Sequence, residues 1–243
     1  MELLQVMSPV SLPAVVTPAL LSSIRGHPQL PLHSWYFIAG VTLSVLNRPD
    51  EIPKVFQYAL EKGVGHIDTK PQHEEQLQIA RKMREALVKA APIGGLPKVC
   101  QMLLVPQSGS TARLIRSQAI NALFALKGVT PPSLLDEPLG YSPTARPVEV
   151  YDMPSSQILH RGQTFFDKIY GKVSKRVMGQ MDRSGTEDLG ITARLMYGYI
   201  LSNASVLTAA ETSFVLLAGL IPQDVRTTAE IPSHEHKLTA VVG

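Results

Sequence analysis

The sequence has few cysteines and few charged residues, which excludes several common classes of protein. Of its 243 residues only Cys100 is a cysteine, so the chain can form no intrachain disulfide, no CxxC redox pair and no cysteine-based zinc site. Charged residues make up 18%, and the 23 basic and 20 acidic side chains are spread along the chain rather than clustered. We therefore expect no nucleic-acid partner, in spite of a formal net charge of +3.

Long apolar runs are also missing. No apolar stretch approaches the roughly 20 residues that a membrane-spanning helix needs, so we expect no membrane span. The apolar N-terminus lacks a basic leading region and contains three prolines, which argues against a signal peptide. We expect an intracellular protein, cytoplasmic or organellar. Phosphate-binding loops, nucleophile elbows and dinucleotide-binding motifs are absent, and His234 and His236 stand without further ligands, so neither cofactor nor metal is expected.

The apolar residues that are present recur mainly at the spacing of a helix and rarely at that of a strand, which predicts an all-α fold. Hydrophobic residues account for 44% of the chain, enough for a substantial core. The predicted helices cover 32–46, 50–63, 74–91, 114–127, 160–181, 189–200 and 208–221, and we expect Asp50 to be the N-cap of the second. In the third of these we expect charged residues opposite an apolar face. Six prolines between 129 and 154 predict a linker without regular structure.

One seven-residue pattern occurs twice. SWYFIAG at 34–40 returns as SFVLLAG at 213–219, with the serine, alanine and glycine identical and the positions between them apolar. A repeat of this kind predicts that one helical unit has been used twice. Other short motifs flank the two copies: REALV at 84–88, GGLP at 94–97 and NAL at 121–123, then RG at 161–162, YG at 170–171, YGY at 197–199 and TAAE at 208–211.

In this order the motifs resemble the carboxymuconolactone decarboxylase-like family, within the alkyl hydroperoxidase D-like superfamily. The resemblance implies an all-α fold of two tandem modules, usually oligomeric, with chemistry on small cyclic acids or hydroperoxides. It predicts an N-terminal segment at 1–31, a first module at 32–128, a Pro-rich linker at 129–157 and a second, truncated module at 158–225. Some relatives are organellar, mitochondrial or peroxisomal, but the C-terminal residues carry no peroxisomal address.

Two segments depart from the family pattern. Residues 100–119 interrupt a helix that is continuous in family members, and residues 226–243 form an atypical tail where members continue with a polar helix. Our hypothesis is that both segments are foreign to the fold, as from an altered transcript or gene model, in which case the chain folds poorly. Sequencing the messenger RNA across both junctions tests it, and coding confirmed at both would contradict it.

Glu211 is the candidate catalytic residue, because the resemblance places a glutamate near the start of this helix in the active-site cavity. Desolvation would raise its pKa toward neutrality and suit it to cofactor-free acid/base chemistry, as in a lyase or lactone isomerase acting on a small carboxylic acid. The alternative is a capping box with Thr208. Tyr197 and Tyr199 are candidate substrate-binding residues, with core packing as their alternative role. The first module has Leu32 at the position of Glu211.

Thiol peroxidase chemistry is excluded, because Gln223 and Arg226 occupy the positions where the superfamily has its cysteine pair. The alternative function is that of a non-catalytic helical protein that oligomerises and keeps the fold without the chemistry. The helix at 208–221 is apolar on nearly every face. It needs neighbours on all sides, so we expect homo-oligomers or poor solubility in either case.

Overall fold

The computed structural model describes residues 13–65, 68–95, 118–136, 143–144 and 146–224, and within these ranges it contains helices and no strand. The prediction of an all-α fold is therefore confirmed. In chain order the helices are α1 (Pro18–Arg25), α2 (Trp35–Val45), α3 (Ile52–Lys62), α4 (His73–Gly94), α5 (Gln118–Val129), α6 (Arg146–Asp152), α7 (Ser155–Tyr170), α8 (Ser174–Asp182), α9 (Asp188–Leu195) and α10 (Ala209–Leu220). A π-helix at Met196–Leu201 continues α9, and no described helix is long and apolar enough to cross a membrane.

Three local predictions were wrong. The helix expected at 160–181 is two helices, α7 and α8, because Gly171 ends the first of them with a φ of +52°, a conformation that favours glycine. The linker expected at 129–157 includes α6. Pro147 lies in the first turn of this helix, where backbone N–H groups have no partner within the helix, so a residue without an N–H is tolerated. Asp50 does not cap α3 but lies in the short 3₁₀ turn Pro49–Glu51 that precedes it.

The helix α4 is the centre of the fold. The main hydrophobic core joins α1 to α5, and it also takes in Leu207, Val215 and Ala218 from the last part of the described chain. Consequently α10 packs directly against α2 and α4. A second, smaller cluster of Phe165, Leu201 and Leu216 joins α7, the π-helix and α10. The helices before and after residues 129–157 thus share one core, and the division of the chain into tandem modules stays a prediction.

The glycines of the repeated pattern both lie against α4. A methyl group added at Gly40 would come within 2.6 Å of the Met83 sulfur, and one added at Gly219 would come within 3.1 Å of the Ile93 side chain. In each copy the missing side chain therefore lets its helix approach α4 closely. The copies differ in position, since the first begins α2 directly after Ser34, whereas the second lies within α10.

Candidate functional site

Glu211 lies in the first turn of α10 and closes a capping box with the residue before that helix. The Thr208 backbone N–H donates to Glu211 Oε2 at 2.9 Å, and the Glu211 N–H donates to Thr208 Oγ1 at 3.2 Å. These two bonds satisfy N–H groups that have no partner within the helix. The capping role weighed from the sequence is therefore present in the structure.

The second carboxylate oxygen of Glu211 is bound by a lysine from α4. Lys82 Nζ lies 2.6 Å from Glu211 Oε1, and the glutamate side chain is 12% exposed. Burial raises the pKa of this carboxyl, but the bonds from Lys82 and Thr208 together lower it below its ordinary value. The expectation of a raised pKa was wrong, because the sequence does not show that a cation lies beside the carboxylate. Glu211 is ionised at neutral pH.

Tyr36 of α2 adds a third ionisable group near this pair. Its side chain is almost fully buried, and burial, together with the negative charge of Glu211, raises the pKa of the phenol far above its ordinary value. The phenol therefore keeps its proton at neutral pH. Glu211, Lys82 and Tyr36 combine a carboxylate base, a cation and a neutral proton donor, and we call this set the Glu211 cluster.

The two candidate substrate-binding tyrosines contact other residues. The Tyr197 ring packs edge-on against Phe166 at 4.9 Å between centroids, and its hydroxyl lies 3.4 Å from that of Tyr170. Burial raises the pKa of Tyr197. Tyr199 is half-buried, and its carbonyl accepts a bond from Arg146. In the described part of the chain no hydrogen bond joins either tyrosine to Glu211, so their role in substrate binding stays a prediction.

We did not predict a role for Lys89, which is the most buried charge in the described residues. Its ammonium group donates to Leu201 O at 3.0 Å, to Asn203 O at 2.6 Å and to Thr212 Oγ1 at 2.6 Å. All three protons are thereby used. Burial lowers the pKa of Lys89 to about 8, and Glu85 at 3.9 Å opposes this effect. The side chain is therefore mainly protonated at neutral pH and joins α4 to the end of the π-helix and to α10.

Two arginine–glutamate pairs surround the same end of the π-helix. Arg146 binds the buried Glu85 through its two terminal nitrogens, Nη1 and Nη2, with Nη1 at 2.9 Å from Oε2. It also donates to the carbonyls of Tyr199 and Ile200. A guanidinium group can make all of these bonds at once because its donors form a fixed planar fork. This pair attaches α6 to α4.

The second pair joins α6 to α7. Arg161 binds both oxygens of Glu149, at 2.7 and 3.0 Å, and it also donates to Ser202 Oγ and to the carbonyl of Gly198. Asn203 Nδ2 donates to Glu149 Oε1 at 3.0 Å. With Lys89 and Arg146, these bonds occupy the carbonyls at the end of the π-helix. We call the whole set the buried ion network.

A signal for this network was present in the sequence. Glu85 and Lys89 are four residues apart, on one face of α4, and stand among the apolar residues Ala86, Leu87 and Ala90. We expected the charges of this helix to lie opposite its apolar face, but both side chains are buried. Two charges of opposite sign inside an apolar face indicate a buried pair. The carbonyl groups that Lys89 binds belong to distant segments of the chain, so the spacing of residues within α4 could not predict them.

The described part of the structure also contains a cleft of about 300 Å³ on the other side of α4. It is lined by Ala80, Arg84, Val88, Leu123, Leu126, Lys127, Thr130, Leu134, Leu135 and Asp136. None of these residues belongs to the Glu211 cluster. Within the described ranges no group of three or more histidine, cysteine, aspartate or glutamate side chains is placed to hold a metal ion.

Comparison with known proteins identifies relatives in two yeasts. The chain is 31% identical over 190 residues to a Schizosaccharomyces pombe protein called peroxisomal protein 2, covering 78% of this chain and 70% of that protein. It is 27% identical over 242 residues to the Saccharomyces cerevisiae protein of the same name, covering 82% of this chain and 78% of that protein. No family model and no solved structure matches the chain.

Proposed function

The chain belongs to the family of peroxisomal protein 2, and on this basis we propose that it acts in the peroxisome. Both yeast relatives carry that location in their names. A fluorescent fusion of the full chain, imaged beside peroxisomal and mitochondrial markers, tests this location. Overlap with the peroxisomal marker is the expected result. Diffuse fluorescence or overlap with mitochondria would contradict it.

The fold, in this proposal, is that of the carboxymuconolactone decarboxylase-like family, with 32–128 and 158–225 as tandem units. Support comes from the repeated pattern, whose two glycines, Gly40 and Gly219, meet α4 in the same way. The motifs at 84–88 and 208–211 also lie on helices that contact one another, since α10 packs on α4.

The activity we propose is cofactor-free acid/base chemistry on a small carboxylic acid, either decarboxylation or lactone isomerisation. The observation that carries it is the 2.6 Å contact between Lys82 and Glu211. In an isomerisation, the ionised Glu211 would take a proton from carbon and return it at another carbon. The Lys82 ammonium would hold the negative charge that develops on the substrate. Because the Glu211 pKa is lowered, the residue begins as base rather than as acid.

Turnover of a panel of carboxylated lactones tests this activity. Glu211→Gln is the informative variant, because a glutamine at this position of a capping box still reaches the Thr208 N–H. We expect its turnover to fall by roughly a hundredfold or more, while the capping bond helps the variant to stay folded. The matched control is Glu187→Gln, which changes an exposed glutamate away from the cluster. Absence of turnover by the unmodified protein on every substrate would contradict the activity.

The second candidate is a non-catalytic protein that assembles into homo-oligomers. It is favoured by the bonds that already occupy both oxygens of Glu211, and by an exposed apolar face at the end of α10 formed by Leu217, Leu220 and Ile221. Ile221 is 73% exposed. Light scattering of the protein and of Ile221→Lys tests it. We expect an oligomer that the substitution weakens, and a stable monomer would contradict the assembly.

A further inference from the structure

We infer that the cleft between α4, α5 and the segment 132–136 binds a small organic anion with an apolar body. This site is distinct from the Glu211 cluster and goes beyond the proposed function. Ala80, Arg84 and Val88 recur every four residues and therefore form one face of α4, whereas Lys82 and Lys89 point from the same helix toward α10. The helix thus separates two sites.

The body of the cleft is apolar and small. Its apolar lining comes from three segments of the chain: Ala80, Val88, Leu123, Leu126, Leu134 and Leu135. A volume of about 300 Å³ lies at the lower end of the range for small-molecule sites. Such a cleft suits an aliphatic or aromatic group of modest size, which gains binding free energy by leaving water.

The charge at the cleft comes from Arg84. One of its nitrogens is bound to Asp136 Oδ2, and in the described part of the chain its remaining N–H donors have no protein partner. Arg81 binds the other oxygen of Asp136 through two nitrogens, at 2.8 and 2.9 Å. Arg81 alone therefore balances the charge of Asp136 and fixes its position. The Arg84 guanidinium is consequently available to bind the carboxylate of a ligand. Lys127 lines the same cleft and adds positive charge.

The probe we choose is octanoate, whose chain of about eight carbon atoms suits a site at the small end of the ligand range. Isothermal titration calorimetry measures its binding to the full chain, and 1-octanol serves as the uncharged probe. We expect saturable octanoate binding that Arg84→Gln weakens by about tenfold or more, since bonds to charged groups are lost. Binding of 1-octanol to Arg84→Gln stays as in the unmodified protein.

Two further variants separate the cleft from general effects. Val88→Trp fills the cleft and is expected to abolish binding of both probes, while its helical circular dichroism stays native. Arg176→Gln removes the same charge from an exposed position on α8 and is expected to leave octanoate binding unchanged. Absence of saturable octanoate binding would overturn the inference, and so would equal weakening by Arg84→Gln and Arg176→Gln. Failure here leaves the activity proposed for Glu211 untouched, because that activity is measured by lactone turnover.

Discussion

Lys89 of α4 and Thr212 of α10 are 123 positions apart and joined by a hydrogen bond of 2.6 Å between Nζ and Oγ1. Because the lysine also binds the carbonyls of Leu201 and Asn203, one ammonium group joins three segments of the chain. A buried charge costs free energy unless each of its protons is bonded, and here each is.

Replacing this lysine tests its structural role. In Lys89→Met the alkyl volume is kept, but three acceptors lose their donor inside the protein. We expect the free energy of unfolding to fall by about 3 kcal/mol, as measured by urea denaturation. Lys175→Met, at an exposed position of α8, is the control and should change it by less than about 0.5 kcal/mol. Equal stability of the two variants would show that Lys89 does not hold these segments together.

The contact between α7 and the π-helix leads to a second prediction. A Cβ at Gly162 would lie 2.5 Å from the backbone nitrogen of Gly198, which cannot move aside as a flexible side chain can. Gly162→Ala should therefore force the two helices apart and reduce the free energy of unfolding by about 2–3 kcal/mol.

Gly179→Ala provides the matched comparison for that substitution. The new Cβ in α8 would meet only the end of the Arg183 side chain, at 3.6 Å. Since alanine favours a helix over glycine, we expect Gly179→Ala to stabilise the protein by about 0.5–1 kcal/mol. Thermal unfolding monitored by circular dichroism measures both variants. Similar melting temperatures for the two would contradict the close contact.

The elements that were predicted from sequence are those whose signals are local. Thr208 and Glu211, three residues apart before an apolar run, indicated the start of α10 correctly. The break at Gly171 was missed because glycine within an amphipathic pattern does not show whether the backbone turns. α6 was missed because proline density was given more weight than the position of Pro147 within the first turn of a helix.

The candidate site could be predicted only in part. Glu211 was identified, but its ionic partner Lys82 is 129 positions away and belongs to another helix. No spacing rule connects two such residues, because their contact depends on how α10 packs on α4. The contact with Lys82 helps to lower the pKa of Glu211, so this lowering could not be predicted from the sequence. Tyr197 packs against Phe166 in the structure, and its role in substrate binding stays a prediction.

A third prediction concerns the attachment of residues 13–16. The buried carboxylate of Glu51 accepts bonds from the Val15 and Val16 N–H groups, each at 3.2 Å, and from Arg48 and Lys54. Glu51→Gln replaces one acceptor oxygen by a donor, so some of these donors lose their partner. We expect a loss of about 2 kcal/mol in unfolding free energy and faster hydrogen exchange at Val15 and Val16.

The control for that variant is Glu61→Gln, an exposed glutamate at the end of α3. It should leave both quantities unchanged within about 0.5 kcal/mol. Unchanged hydrogen exchange at Val15 and Val16 in Glu51→Gln would show that the carboxylate does not hold this segment.

The last prediction concerns pH and the Glu211 cluster. The pKa of Glu211 is lowered in the folded protein from an ordinary value of 4.5, so below that value the unfolded chain binds more protons than the folded one. The stability contributed by the ionised carboxylate is therefore present above pH 4.5 and lost as the pH falls through the folded pKa.

Glu211→Gln has no such group. The difference in unfolding free energy between the two proteins should therefore shrink as the pH falls from neutral to below the ordinary glutamate value. Other carboxylates with lowered pKa, among them Glu51 and Glu149, titrate in both proteins and cancel in the difference. Urea denaturation at several pH values measures it, and a difference that does not change with pH would contradict an ion pair between Glu211 and Lys82.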